Sequence, residues 1–377
     1  MKRKTAMRTA AMAACLGLAL IPAGAKTQNA PQPVVEVAFV LDTTGSMSGL
    51  IEGAKKKIWS IANQTLLGEP RPKVRMALVG YRDKGDEYVT KVFPLTDNID
   101  EVYENLTAFR ADGGGDGPEN VNQALHDAIH KLGWSKDRRT LKIIYLVGDF
   151  PPHNEYQDVP TYDKLAKQAI ESGIYVNTIL CGGNPDARKV WQEIARMAEG
   201  NYFAIAQDGG MQEIATPYDE DLAKLNTELI GTVVVYGDAK AQREAGERNE
   251  SVAASMAKPT MAPASAERAS FASKTGQAGS GDLLRAVEQK KVSLRDMKAD
   301  ELPPEMRNLT PQQREEYIQK QQAKRDTINA KIKKLSEKRS VFLRKAVESN
   351  SGAKDGFDAK VLEALRAQAA RKDITYK

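Results

Sequence analysis

Between residues 34 and 230 the chain alternates short apolar runs with amphipathic stretches, and this alternation constrains its fold more than any other feature. The runs at 34–41, 74–81, 141–147, 174–180 and 202–206 have the length and apolar content of strands buried on both faces. A segment at 89–93 is placed to pair with 74–81 as a hairpin. Between the runs, 46–67 sets Met47, Leu50, Ile51, Ala54, Ile58, Ile61 and Ala62 on one helical face. Asn98 followed by Glu101 predicts a capping box, and Pro118 predicts a helix start ahead of Val121, Leu125, Ala128 and Leu132. Further helices are expected at 162–173, 187–198 and 222–229. Strands and helices in this order predict an α/β fold, a doubly wound and mostly parallel sheet with helices on both faces.

The chemistry of the chain gathers where these runs end. Residues 34–41 lead directly into Asp42-Thr43-Thr44-Gly45-Ser46, which brings a carboxylate and two hydroxyls to the carboxyl end of a strand. Open α/β sheets bind ligands at that end. Oxygen donors of mixed charge suit a hard divalent cation such as Mg²⁺. Three donors do not fill an octahedral ion, so other loops must contribute. Asp149 follows the run 141–147, and Asp112-Gly113-Gly114-Gly115-Asp116-Gly117-Pro118-Glu119-Asn120 is a glycine-rich loop opening a helix. The turn from Tyr81 to Asp86 leaves its strand at the same face, and there Asp83 or Asp86 reaches a metal through water, shapes the partner surface, or lies in a solvated turn.

These three motifs, in this order and with the alternation between them, resemble the metal-ion-dependent adhesion site (MIDAS) of von Willebrand factor A (VWA) domains. They resemble the branch with a GGGDxPE loop, found in some bacterial and extracellular eukaryotic members. The resemblance covers residues 33–237 and implies a Rossmann-like fold, a bound Mg²⁺ (or Mn²⁺) and a protein partner at the metal face. It implies that Asp42, Thr44 and Ser46 are the D-x-T/S-x-S ligands and that Asp149 is the acid supporting bound water. The family commonly has Thr in the third loop, where this chain has Asp116. A further anion neutralises the ion and weakens its capture of an acidic partner.

Outside that region the composition shifts. Residues 1–25 have a secretory pattern: Lys2, Arg3, Lys4 and Arg8, a short apolar stretch over 10–21, and Ala23-Gly24-Ala25 as a cleavage site. This predicts export across an inner membrane and periplasmic residence, with a retained anchor as the alternative. Cys15 is followed by more apolar sequence, which argues against lipid attachment. Removing residues 1–25 leaves Cys181 alone, so no internal disulfide is expected, and its strand-like context predicts a buried thiol. Residues 26–237 hold 22 Lys/Arg and 30 Asp/Glu, a net −8, whereas 238–377 hold 29 and 20, a net +9. This split suggests that the basic part docks on the acidic part, on an acidic partner or on a membrane surface. No aromatic-interleaved basic motif points to nucleic acid.

Residues 238–281, rich in Ala, Ser, Gly and charge, read as a flexible linker, and 282–377 as a helical region. Thr310-Pro311-Gln312-Gln313 carries a strong helix-start signal. Ile318, Ile328, Ile332, Leu335 and Phe342 then approach a heptad seam, which Gln321, Arg325 and Arg339 interrupt. A weak coiled coil and a helix packed on something else both fit that pattern.

Three functions are weighed. The first is a non-enzymatic, metal-binding interaction protein. The second is a zinc hydrolase using His126 and His130, spaced as in H-E-x-x-H but with Asp127 where the Glu base belongs. The third is a structural envelope protein acting through its basic C-terminal helices. No nucleophile with a base, phosphate loop or cofactor fingerprint accompanies Asp42 and Asp149, so a metal-binding pair explains both with fewer assumptions.

Overall fold

The computed structural model describes residues 32–115, 117–211, 213–349 and 356–376. The 1–25 segment lies outside the described residues. The sheet comprises β1 (Val34–Asp42), β2 (Lys73–Tyr81), β3 (Thr90–Thr96), β4 (Leu141–Gly148), β5 (Ile174–Cys181) and β6 (Tyr202–Ile205). Its order is β3-β2-β1-β4-β5-β6. Only β3 is antiparallel, paired to β2 as the hairpin predicts. The strands wind outward in one direction from β1 and in the other from β4, so the switch point lies between these two neighbours.

Alternate side chains of β1 serve opposite faces. Val35, Val37, Phe39 and Leu41 join one core with α1 (Ser48–Thr65) and α2 (Ile99–Ala108). Ala38 and Val40 join the other, with α3 (Val121–His130), α4 (Tyr162–Glu171) and α5 (Pro185–Met197). Two details depart from the pattern. Asn98 caps α2 without using its side chain, which instead accepts from Gln277 and donates to Ser280. The Asn98 backbone N–H is taken by Thr96 Oγ1, so the Asn98–Glu101 box does not form. Helix α3 starts at Val121, with Asn120 rather than Pro118 at its entry, because the Asn120 side chain accepts from Gln123 N–H.

After α6 (Asp219–Ile230) the structure corrects the expected linker. Residues 238–281 form α7 (Ala239–Met256) and α8 (Ala262–Thr275). Their small side chains pack closely: Ala266, Ala269 and Ala272 of α8 meet Leu222, Leu225 and Leu229 of α6. Arg268 is buried because it clasps both oxygens of Asp100 at 2.6 Å and donates to Asn226 at 2.7 Å. Then come α9 (Leu283–Glu288), α10 (Pro311–Ser349) and α11 (Phe357–Ala369).

Helix α10 opens with the expected reciprocal cap, Thr310 N–H to Gln313 Oε1 and Gln313 N–H to Thr310 Oγ1. It packs Ile328 and Ile332 into the α6–α8 cluster of the same chain. Two of the three residues that interrupt its heptad pattern are anchors: Arg325 binds Asp282 and Arg339 binds Asp219 and Glu267. Helix α11 returns to the sheet. Phe357 lies against Phe39, Tyr145 Oη donates to the Val361 carbonyl, and the Asn177 and Gln368 amides exchange hydrogen bonds. Among the described residues, no helix is long and apolar enough to cross a membrane.

Candidate metal centre

Asp42 ends β1 and Asp149 follows the end of β4, so the switch point puts them side by side. Asp42 is 1% exposed. Its Oδ1 accepts from the Thr44 N–H at 2.8 Å and the Thr44 hydroxyl at 2.6 Å. Its Oδ2 is buried without a hydrogen-bond partner. The Ser46 hydroxyl lies 3.5 Å from that of Thr44, on the exposed side. Thr43 turns away, donating to the Tyr81 carbonyl at 2.9 Å.

Asp149 accepts from Gln207 at 2.8 Å through Oδ2, while its Oδ1 is buried and partnerless. Gln207 also reaches the Ser46 carbonyl at 3.4 Å, tying the loop after β6 to the loop after β1.

Backbone hydrogen bonds hold the remaining loops in place. Asp112 N–H reaches the Thr43 carbonyl and Gly45 N–H reaches that of Gly113. Gly113 and Gly114 have φ of 79° and 82°, in the left-handed region that glycine adopts without penalty. A β-carbon on Gly114 would stand 3.2 Å from Thr44 Cβ and 3.3 Å from Glu119 Oε1. The glycines therefore let this loop close over Thr44. Glu119 exchanges backbone hydrogen bonds with the segment after β4: its N–H donates to the Pro151 carbonyl, and its carbonyl accepts from the His153 N–H.

Glu119 is 2% exposed, and its Oε2 has no hydrogen-bond partner. Asp83 is also buried; its Oδ2 accepts from Tyr156 at 2.8 Å and its Oδ1 is partnerless. Asp86 accepts from the N–H groups of Asp83 and Gly114, so the turn after β2 is bound into the site rather than solvated. Asp116 lies outside the described residues.

The electrostatics of the cluster are acidic. Burial, and then the neighbouring Asp149, push the Asp42 carboxyl up to about 7 against the hydrogen bonds of Thr44. Burial and the charges of Asp42, Asp83, Asp86 and Asp149 push Glu119 up to about 9. Cys181 beneath is a buried free thiol, raised by burial and by Asp149 and Asp42.

A buried carboxylate oxygen without a donor is costly, and a cation supplies the missing partner. Asp42 Oδ2 and Asp149 Oδ1 fit that need. Thr44 spends its proton on Asp42 and keeps its oxygen lone pairs free. Among the described residues, no three His, Cys, Asp or Glu side chains form a group that could hold a metal. An ion here would thus take hydroxyls as well as carboxylates, with Glu119 as an outer charge.

Asp42, Thr44, Ser46 and Asp149 are thus brought together. Glu119 and Gln207 were not anticipated. Glu119 had a signal, an acid in a loop bound to face Asp42, whereas Gln207 had none. The histidine pair is elsewhere, on α3. The rings of His126 and His130 are 4.7 Å apart, the first against Asp127 at 3.1 Å and the second against Gln168 at 3.2 Å. His153 instead meets Glu155 and stacks on Tyr156.

Residues 36–217 match the family model of the von Willebrand factor A domain. A stretch of 97 residues is 39% identical to von Willebrand factor A domain-containing protein 7 of Rattus norvegicus, covering 26% of this chain and 10% of that protein. The chain thus spans about a tenth of the length of that curated relative. Among solved structures, the SpRpn10 VWA domain is 14% identical with a TM-score of 0.36, over 47% of this chain and 89% of that one. The mussel byssus proximal thread matrix protein 1 with a zinc occupied MIDAS motif is 15% identical with a TM-score of 0.38, over 47% and 43%. The six-stranded, mostly parallel sheet with flanking helices is a VWA-like fold, and residues 36–217 are the part of the chain that resembles a von Willebrand factor A domain.

Proposed function

We propose that this chain is an exported, non-enzymatic interaction protein that binds Mg²⁺ (or Mn²⁺) at the end of β1 and holds another protein at that face. The observation that carries the reading is the pair of buried, partnerless oxygens, Asp42 Oδ2 and Asp149 Oδ1, beside the hydroxyls of Thr44 and Ser46. Asp42, Thr44, Ser46, Asp116 and Asp149 are the residues that would hold the ion. The ion would order the loops and offer an electrophilic point to a partner. Asp42, Asp116 and Asp149, once ionised around the ion, carry more negative charge than one divalent cation neutralises. The partner group is therefore neutral or basic rather than a carboxylate. Residues 1–25 support export to a periplasm. The basic part, residues 238–377, is read as docked on the acidic VWA domain, an assignment favoured by the pairs Arg268–Asp100, Arg248–Glu104 and Arg339–Asp219.

Calorimetry on Asp42→Ala tests the metal. The variant removes a buried carboxyl that repels Asp149, so the expected outcome is an intact fold with Mg²⁺ binding abolished. Unchanged Mg²⁺ binding would sink the assignment. Affinity capture with and without EDTA tests the partner: the reading requires a protein retained with Mg²⁺ and released by EDTA, and it fails if capture is identical in both.

A further inference from the structure

A separate surface concentrates positive charge without matching negative charge. Between the start of β2, the entry to α2 and the α8–α9 segment lies a cleft of about 420 Å³, lined by Arg71, Lys73, Lys274, Arg285 and Lys291. Asp97 is the one carboxylate on its wall. It is engaged by Lys73 at 3.3 Å. Against the burial that would raise it, Lys73, Arg285 and Lys291 hold the Asp97 carboxyl below its ordinary range, so these three cations surround one acid. Lys274 donates to Asn63 Oδ1 at 3.0 Å, a neutral partner. Burial lowers its ammonium; the nearby Glu267 carboxylate opposes this and Arg71 adds to it, which places Lys274 near one anion and a second cation. Among the described residues, Arg71, Arg285 and Lys291 make no ion pair, and Arg285 Nε is buried with no hydrogen-bond partner.

Five cations outnumber Asp97 on the wall and Glu267 beside Lys274 and repel each other, and a buried guanidinium N–H without an acceptor adds to the cost. An anion in the cleft relieves both. Guanidinium forks and ammonium groups together match phosphate oxygens, and the volume is that of a small-molecule site.

We propose that this cleft binds a phosphate-bearing anion, gripped by Arg71 and Arg285 and neutralised by Lys274 and Lys291. The phosphate belongs to a soluble small molecule or to a lipid headgroup. The site is remote in sequence and chemistry from the metal centre and does not depend on it.

The test uses the full chain in EDTA, so that no divalent ion bridges the probe. Pyrophosphate is titrated by calorimetry, and vesicles of phosphatidylcholine with and without phosphatidic acid are used in co-sedimentation. Saturable pyrophosphate binding supports a soluble ligand; binding to phosphatidic acid vesicles alone supports a headgroup. Arg71→Gln with Lys291→Gln, both exposed positions, should weaken binding by at least about tenfold with unchanged melting. Arg285→Gln should do the same, and Asp42→Ala should bind as the unaltered chain does. The proposal is overturned if neither probe binds saturably, if the exposed double variant binds normally, or if a pentaglutamate peptide binds as tightly as pyrophosphate.

Discussion

The proton on Asp42 sets how the metal centre responds to pH. Its carboxyl stands near 7 in the folded chain against an ordinary 3.8. Between those values the folded chain holds a proton that the unfolded chain has released. The stability this group contributes is therefore full below about pH 4 and is lost as pH rises through about 7. Glu119, raised to about 9 for the same reasons, extends the loss upward. A divalent cation binds the deprotonated site and reverses the trend. In EDTA the melting temperature should fall between about pH 5 and about pH 8, more steeply than in Asp42→Asn. Mg²⁺ should bind at least roughly tenfold more weakly at about pH 5.5 than at about pH 8. A pH-independent Mg²⁺ affinity would mean that Asp42 is not a ligand. At this scale the position of a residue was legible where it stands at the end of an apolar run, as Asp42 and Asp149 do. Glu119 and Gln207 act through chain segments far away in sequence, and a linear pattern carries no trace of that meeting.

Among the elements, α8 is the one whose sequence most misleads. Its small-residue composition resembles a linker, yet the small side chains Ala266, Ala269 and Ala272 are what let it lie close to α6. The strands were legible because burial on both faces demands continuous apolar runs; α8 was not, because its cohesion comes partly from a charge. Arg268 satisfies both oxygens of Asp100 across 168 positions of sequence. Removing one partner of a buried pair leaves the other charge uncompensated. Arg268→Ala should therefore cost about 3–5 kcal/mol, whereas replacing Arg268 and Asp100 together by apolar residues should cost much less. Denaturant titration of the two variants beside the unaltered chain measures the difference. Equal losses in the single and double variants would show that packing, not the orphaned charge, dominates. The signal opening α10 was read correctly for the opposite reason, since its partners lie three residues apart.

Taken whole, the molecule does not divide where the domain resemblance ends. Residues 32–377 form one compact unit, and the face of the sheet shared by β1 and β4 is closed by α11, more than 200 residues after β4. Phe357, Val361, Leu365 and Ile374 are all at most 1% exposed in that core. At about 1.5–3 kcal/mol for each large apolar side chain, these four contribute roughly 6–12 kcal/mol of burial. That is comparable to the whole net stability of an ordinary domain, about 5–15 kcal/mol. Removing α11 also strips Asn177 of its Gln368 partner and Tyr145 of its acceptor. A chain ending at residue 237 should therefore lose cooperative unfolding, expose Phe39 and Tyr145, and bind Mg²⁺ poorly because β1 and β4 no longer hold Asp42 and Asp149 in register. Scanning calorimetry compares that fragment with the full chain. A sharp transition for the fragment, within a few degrees of the full chain, would establish that the domain stands alone and that α11 only decorates it. A broad or absent transition would make the C-terminal helices part of the metal centre's support, so their loss would silence that face without touching a ligand.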